Sequence, residues 1–320
     1  MRTVHTYGLP RWLLAIGPIT ILSAVFVTMY VTSPFGNVAE LAQASTLEIL
    51  WMLTLIGLLA GIVPVAIGML WFPFIRGLDH RLLHAFLALA GGVLAFIAVE
   101  MTEEIFENAA AVDTSVPLAG RSLEGAILAW PVALLGILGT FAVMYVISRW
   151  RQRTMVAADR SGLEIAYLVA LALGLHSIGE GLGIGVAFIR GDGTLVTLLV
   201  LAFILHNVME GPTIVAAVAK DRATPPLRHF AAMGIIAGGP VILGGWIGSF
   251  GEAPLLAVLF FAIAVGAILQ VLLEVADLIR FDARVLTRHN ASAFVLGFVL
   301  MFVLEDVLTE VLLEGWLVPA

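Results

Sequence analysis

Residues 163–189 read LEIAYLVALALGLHSIGEGLGIGVAFI. A helical membrane span needs about 20 mostly apolar residues, so this run is long enough to cross a bilayer. It lacks the apolar–polar alternation of an outer-membrane barrel strand. It reads as a transmembrane helix that carries a histidine and a glutamate, His176 and Glu180, near its middle. Thirty residues on, the chain repeats the pattern: Leu175-His176-Ser177-Ile178-Gly179-Glu180-Gly181 is followed by Leu205-His206-Asn207-Val208-Met209-Glu210-Gly211.

Eight further stretches have the same length and character: 12–32, 48–74, 83–106, 125–148, 194–219, 230–250, 254–279 and 290–313. Composition agrees. Of 320 residues, 61% are hydrophobic and 12% charged, against roughly 45–50% and 25% in soluble domains. Mean hydropathy is +1.07. These values exclude an ordinary soluble enzyme, a disordered chain and a nucleic-acid binder of the basic kind. The lack of cysteine excludes disulfides, thiolate ligands and a cysteine nucleophile. The expected fold is an all-α polytopic membrane protein with nine transmembrane helices and short connections.

The basic residues set the expected orientation. Fourteen of the 16 fall in the N-terminal tail and after the second, fourth, sixth and eighth spans. Only Arg121 and Arg190 fall on the other side. Lys and Arg mark cytoplasmic loops, so the N-terminus is expected inside and the C-terminus outside, in a multi-pass cell-membrane protein. Residues 1–46 form an extra N-terminal helix with an external linker, and residues 47–320 a domain of eight helices. The first span also has a basic start, and Ala42-Gln43-Ala44 resembles a signal-peptidase site. Its apolar run of about 20 residues exceeds the usual 7–15 of a signal peptide, which favours a retained anchor.

Ionisable groups inside a bilayer are costly and point to function. In both repeated segments His and Glu are four apart, on one helical face. Each pair falls near the middle of its span, so His176, Glu180, His206 and Glu210 are expected to meet at one depth. Two imidazoles and two carboxylates suit zinc, and also iron or manganese, rather than Cu(I). One such pair reads equally well as a core histidine bonded to a glutamate across helices; a second copy at matching depth argues for a metal. Glu100, Glu103, Glu104 and Glu107 form a stripe at the outer end of the third span, a cation-attracting vestibule in which Glu100 and Glu104 carry the argument. Glu274 and Asp277 lie toward the inner end of the eighth span, as an exit step or as partners of Arg280. Glu305, Asp306 and Glu310 lie toward the outside in the ninth. Pro240, after Gly238-Gly239, kinks the seventh span and frees a carbonyl, and Gly244 with Gly248 offers a close-packing surface.

These residues resemble the ZIP (Zrt/Irt-like) family of divalent-metal transporters, whose fourth helix carries H-N-x-P-E-G and whose fifth carries H-x-x-P-E-G. The matches are His176, Glu180 and Gly181, then His206, Glu210 and Gly211. Leu182 to Phe188 is similar to the family's continuation, Ala90-Gly91-Gly92-Val93-Leu94 with Glu104 to its second helix, and Ala264-Val265-Gly266-Ala267 with Glu274 to its seventh. The resemblance covers roughly residues 48–315 and implies an eight-helix core behind one extra helix. The chain departs from the pattern at Gly179 and Met209 (for proline), Ser177 (for Asn), Gly239 (for Glu) and Leu273 (for His). The second of two adjacent metal sites is thereby lost. One site is expected: His176, Glu180, His206 and Glu210, assisted by Asn207, with Glu100 and Glu104 as entrance and Glu274 and Asp277 as exit candidates.

The resemblance implies transport of divalent metal, zinc first, into the cytoplasm by elevator-type movement. The metal is substrate, and no organic cofactor or nucleic acid is expected. The partners are metal ions and the lipid bilayer, and a homodimer is open. An enzyme is not expected: the zincin H-E-x-x-H is absent, and Glu103-Glu104 lacks the Arg of another membrane-protease pattern. An intramembrane zinc hydrolase, a proton-coupled carrier of another substrate and a haem carrier stand as alternatives.

Overall fold

The computed structural model describes residues 10–32, 37–112, 123–154, 161–221, 224–251, 253–280 and 283–304, and helix is the only regular structure among them. The helices are α1 (Arg11–Thr32), α2 (Thr46–Arg76), α3 (His80–Ala111), α4 (Leu123–Thr154), α5 (Gly162–Ile189), α6 (Gly193–Lys220), α7 (Leu227–Gly248), α8 (Pro254–Arg280) and α9 (Arg288–Phe302). A single turn, Val38–Leu41, stands between α1 and α2.

Seven helices among the described residues, α2 to α8, are long and apolar enough to cross a membrane. The chain is a polytopic α-helical membrane protein. The remaining two of the nine expected spans are shorter as described: the apolar part of α1 is Trp12–Val25, and α9 has 15 residues. Glu305, Asp306, Glu310 and Arg121 lie outside the described residues.

Polar side chains at the helix starts satisfy N–H groups that no helical carbonyl reaches. Asp79, Ser161, Asp192 and Thr287 each accept a hydrogen bond from a backbone N–H two or three residues on. Inside the membrane the helices sort into two bundles. α6 and α7 pack on each other and on both α2 and α5, with α1 against α2; α3 packs on α4, α8 and α9, and α4 on α8. The bundles meet where α5 lies on α8 and α6 on α3.

Helices in lipid gain little from hydrophobic burial and rely on close backbone approach. That decides the α5–α7 seam. Gly181 and Gly185 face Gly244, Gly245 and Gly248, and a Cβ on Gly181, Gly185, Gly244 or Gly248 would run into facing backbone. Gly61 meets Gly238, and Gly211 meets Gly68, in the same way. The second bundle has its own seams, Gly92 and Gly297 between α3 and α9, and Gly266 between α8 and α4. Between the bundles the one such glycine among the described residues is Gly179, and it meets the Phe261 ring rather than backbone. Each bundle is therefore locked internally through backbone, while side chains line the boundary.

Candidate metal site

α5 and α6 are joined through Arg190-Gly191-Asp192. Gly191 has φ +72°, and the N–H groups of Gly191 and Asp192 return to the carbonyls of Phe188 and Ala187. A left-handed residue there costs glycine nothing. The turn makes α5 and α6 adjacent, antiparallel helices. His176 and His206 each stand 15 residues from Gly191. Equal rise on both sides brings the imidazoles to one depth, near the middle of two 28-residue helices.

The histidines meet as expected, Nε2 to Nε2 at 3.2 Å. The carboxylates divide. Four residues beyond His176, α5 is approaching the turn; four beyond His206, α6 is leaving it. Glu180 therefore sits about 6 Å toward the turn from the histidines, and Glu210 about as far on the other side. Both still reach the centre. Glu180 Oε1 is 3.5 Å from His176 Nε2, and Glu210 Oε1 is 3.7 Å from His206 Nε2 and 4.0 Å from His176 Nε2. All four residues are buried. Ligand atoms on a tetrahedral zinc, each about 2.0–2.1 Å from the ion, lie roughly 3.3–3.4 Å apart. His176, Glu180 and His206 could hold a metal ion, all three offering atoms within 4.8 Å of one another. Glu210 Oε1 lies near both imidazoles but outside that three-residue group.

Two further residues hold the cluster. Met101, on α3, lies with its Sδ 2.9 Å from His176 Nδ1. A thioether only accepts, so it favours the proton on Nδ1 and leaves the Nε2 lone pair facing Glu180 and His206. Asn207 donates from Nδ2 to Glu180 Oε2 at 3.2 Å and to the Ala60 carbonyl at 2.9 Å. Ser177, in contrast, donates to Leu173 O of its own helix, and Gly239 brings no side chain.

A cavity of about 370 Å³ leads to the cluster from the end where α3 and α5 finish and α6 and α8 begin. Glu100, Glu104 and Asn108 line it, with Arg190 near its mouth and Glu180, Gly179, Met101 and Phe261 deep inside. Neither histidine nor Glu210 lines it. The acidic stripe splits in two: Glu100 and Glu104 are half-buried in the cavity, while Glu103 and Glu107 are exposed. At the opposite end a separate cavity of about 330 Å³ lies between α4 and α8, with Glu274 in its wall. Glu274 is buried and accepts hydrogen bonds from Ser148 and, at 3.1 Å, from Gln270. Asp277 pairs with Arg280 at 3.6 Å. The structure thus brings Glu100 and Glu104 toward the cluster from one side and holds Glu274 and Asp277 apart from it. Leu273 lines the Glu274 cavity.

No family model matches this chain, and no curated protein does. The residues that sequence reading missed are Met101, Ala60, Ser148 and Gln270. Met101 directly follows Glu100, but an apolar methionine in an apolar helix carries no signal. Ala60 acts through its carbonyl, and its signal is the proline four residues later.

Proposed function

We propose that this protein transports divalent metal ions, zinc foremost, through the His176–Glu180–His206–Glu210 cluster, as a divergent relative of the ZIP family. The observation that carries the proposal is the ligand spacing of three buried donors at mid-membrane below a carboxylate-lined cavity. Metal enters from outside past Glu100 and Glu104, meets Glu180, and exchanges its water for the imidazoles. Glu210 takes over on the inner side. The metal-bearing bundle then moves as one body against the α3–α4–α8–α9 bundle, as its backbone-locked seams allow, and release passes the inner end of α8. Nothing in this scheme draws on ATP; the metal gradient, coupled to protons that compete for the same ligands, supplies the drive.

Zinc uptake into proteoliposomes tests this, with His176→Ala/Glu210→Ala beside the wild type. Uptake by the wild type and its loss in the variant are expected, with one ion bound per chain. No uptake of zinc, iron, manganese or cadmium by folded wild type would overturn the metal reading and favour another substrate.

A further inference from the structure

Besides Pro73 near the end of α2, three prolines interrupt the helices of the metal-bearing bundle: Pro64 in α2, Pro212 in α6 and Pro240 in α7. Proline has no N–H, so the carbonyl four residues earlier loses its helical partner. Those carbonyls belong to Ala60, Val208 and Ile236. The last two face glycine: Gly68 packs onto Val208 O and Gly174 onto Ile236 O. The Ala60 carbonyl instead receives a side-chain donor, Asn207 Nδ2. α2 widens here into a π turn, Leu58–Ile62, a local distortion frequent at functional sites.

Asn207 is fully buried. Its two neighbours, the Ala60 carbonyl and Glu180 Oε2, are both acceptors. An amide turned the other way would set its oxygen against theirs, so the two N–H bonds are committed and the orientation is decided. A chain of contacts runs from α2 through α6 to the ligand on α5. Left over are Asn207 Oδ1 and Glu180 Oε1, both buried and without a hydrogen-bond partner. Glu180 Oε1 is the oxygen that faces His176 Nε2.

We propose that Pro64 is a positioning residue of the metal site. In a regular α-helix residue 64 would donate to the Ala60 carbonyl; Pro64 has no N–H to give, α2 takes the π register with Val63 N–H on Leu58 O, and the Ala60 carbonyl is met by Asn207, which then holds Glu180 Oε2 and turns Oε1 to the metal. The proposal rests on the cluster being a metal site, and it assigns a role to a residue that touches neither metal nor ligand. The competing view is that Pro64 only bends α2, in which case its effect is independent of Asn207.

Cobalt titration of the purified protein, read by visible absorption, separates the two in a cycle of Pro64→Ala, Asn207→Ala and the double variant. Outer-sphere changes typically cost about 10–100-fold in metal affinity. Pro64→Ala is expected to weaken cobalt binding about tenfold and alter the absorption bands, and to cost nothing further once Asn207 is alanine. An equal cost in both backgrounds, or none in either, overturns the proposal. Pro64→Ile supplies the same N–H and replaces Pro64→Ala should that variant not fold. The metal-free infrared carboxylate band of Glu180, assigned by its loss in Glu180→Gln, is expected to shift alike in the Pro64 and Asn207 variants. Should the wild type bind no cobalt, the metal reading falls, and the infrared band alone decides: an unshifted band in Pro64→Ala overturns the positioning role.

Discussion

Glu180 and Glu210 hold the same place in a seven-residue pattern repeated in neighbouring helices, yet only Glu180 borders the cavity lined by Glu100 and Glu104. The difference comes from direction. A motif copied into two antiparallel helices is inverted in space: shared positions equidistant from the turn meet, and positions offset from them separate. The histidines coincide at one depth, while the glutamates lie above and below. The repeat thus encodes two unlike carboxylates, one accessible from the cavity and held by Asn207, the other fully enclosed.

The largest effect that can break this comparison is in the two glutamates themselves. Glu180→Gln is expected to lower zinc affinity and uptake together by about 100-fold or more, the scale of an outer-sphere loss or greater. Glu210→Gln is expected to keep affinity within a few-fold while uptake falls about tenfold. Calorimetry beside vesicle flux measures both, and equal losses in the two variants would make the carboxylates equivalent.

Next come two glycines of α5, on different faces. Gly185 lies against the backbone of α7, whereas a Cβ on Gly183 meets only Leu199 at ordinary contact distance. Gly185→Ala is expected to lower stability by about 1–3 kcal/mol through overpacking, seen as a reduced Tm in detergent. Gly183→Ala is expected to leave Tm unchanged or raise it, since alanine favours helix. A tolerated alanine at 185 would mean that the α5–α7 seam is not the rigid contact described.

The cavity mouth gives a smaller contrast. Glu100→Gln and Glu104→Gln are each expected to raise the KM for zinc a few-fold, less so at high salt, where screening weakens attraction. Glu103→Gln and Glu107→Gln, exposed on the same helix, are expected to change nothing. Smallest is Met101→Leu, which keeps the volume but removes the acceptor from His176 Nδ1. A two- to threefold weaker affinity is expected for the loss of one weak contact worth about 0.5 kcal/mol; a larger loss would place the sulfur among the ligands.

Much of the helical plan was legible, because a span is written in contiguous apolar residues and the bilayer dictates its length. Seven of the nine expected spans stand as helices of sufficient length and hydropathy among the described residues. The pairing of His176 with His206 was legible too, from one spacing repeated on two neighbouring helices. The opposed placement of Glu180 and Glu210 was not read, although the turn at Gly191 implies it. Met101 and Gln270 escaped for a different reason: each acts across a helix–helix contact that local pattern does not describe.

The sequence by itself determined an α-helical membrane protein, its helical hairpin about Gly191 and a repeated His–Glu pair at mid-span. These depend on composition, helical rise and the cost of burying charge, which act along a single chain segment. Only the tertiary structure decided that Glu100 and Glu104 face a cavity while Glu103 and Glu107 do not. It also decided that Glu274 binds Ser148 and Gln270 rather than joining the histidines, and that the Ala60 carbonyl meets Asn207. Those outcomes depend on which helices lie side by side and at what rotation. In a bilayer, glycine seams and freed carbonyls set that arrangement, because the apolar pattern is nearly the same on every face.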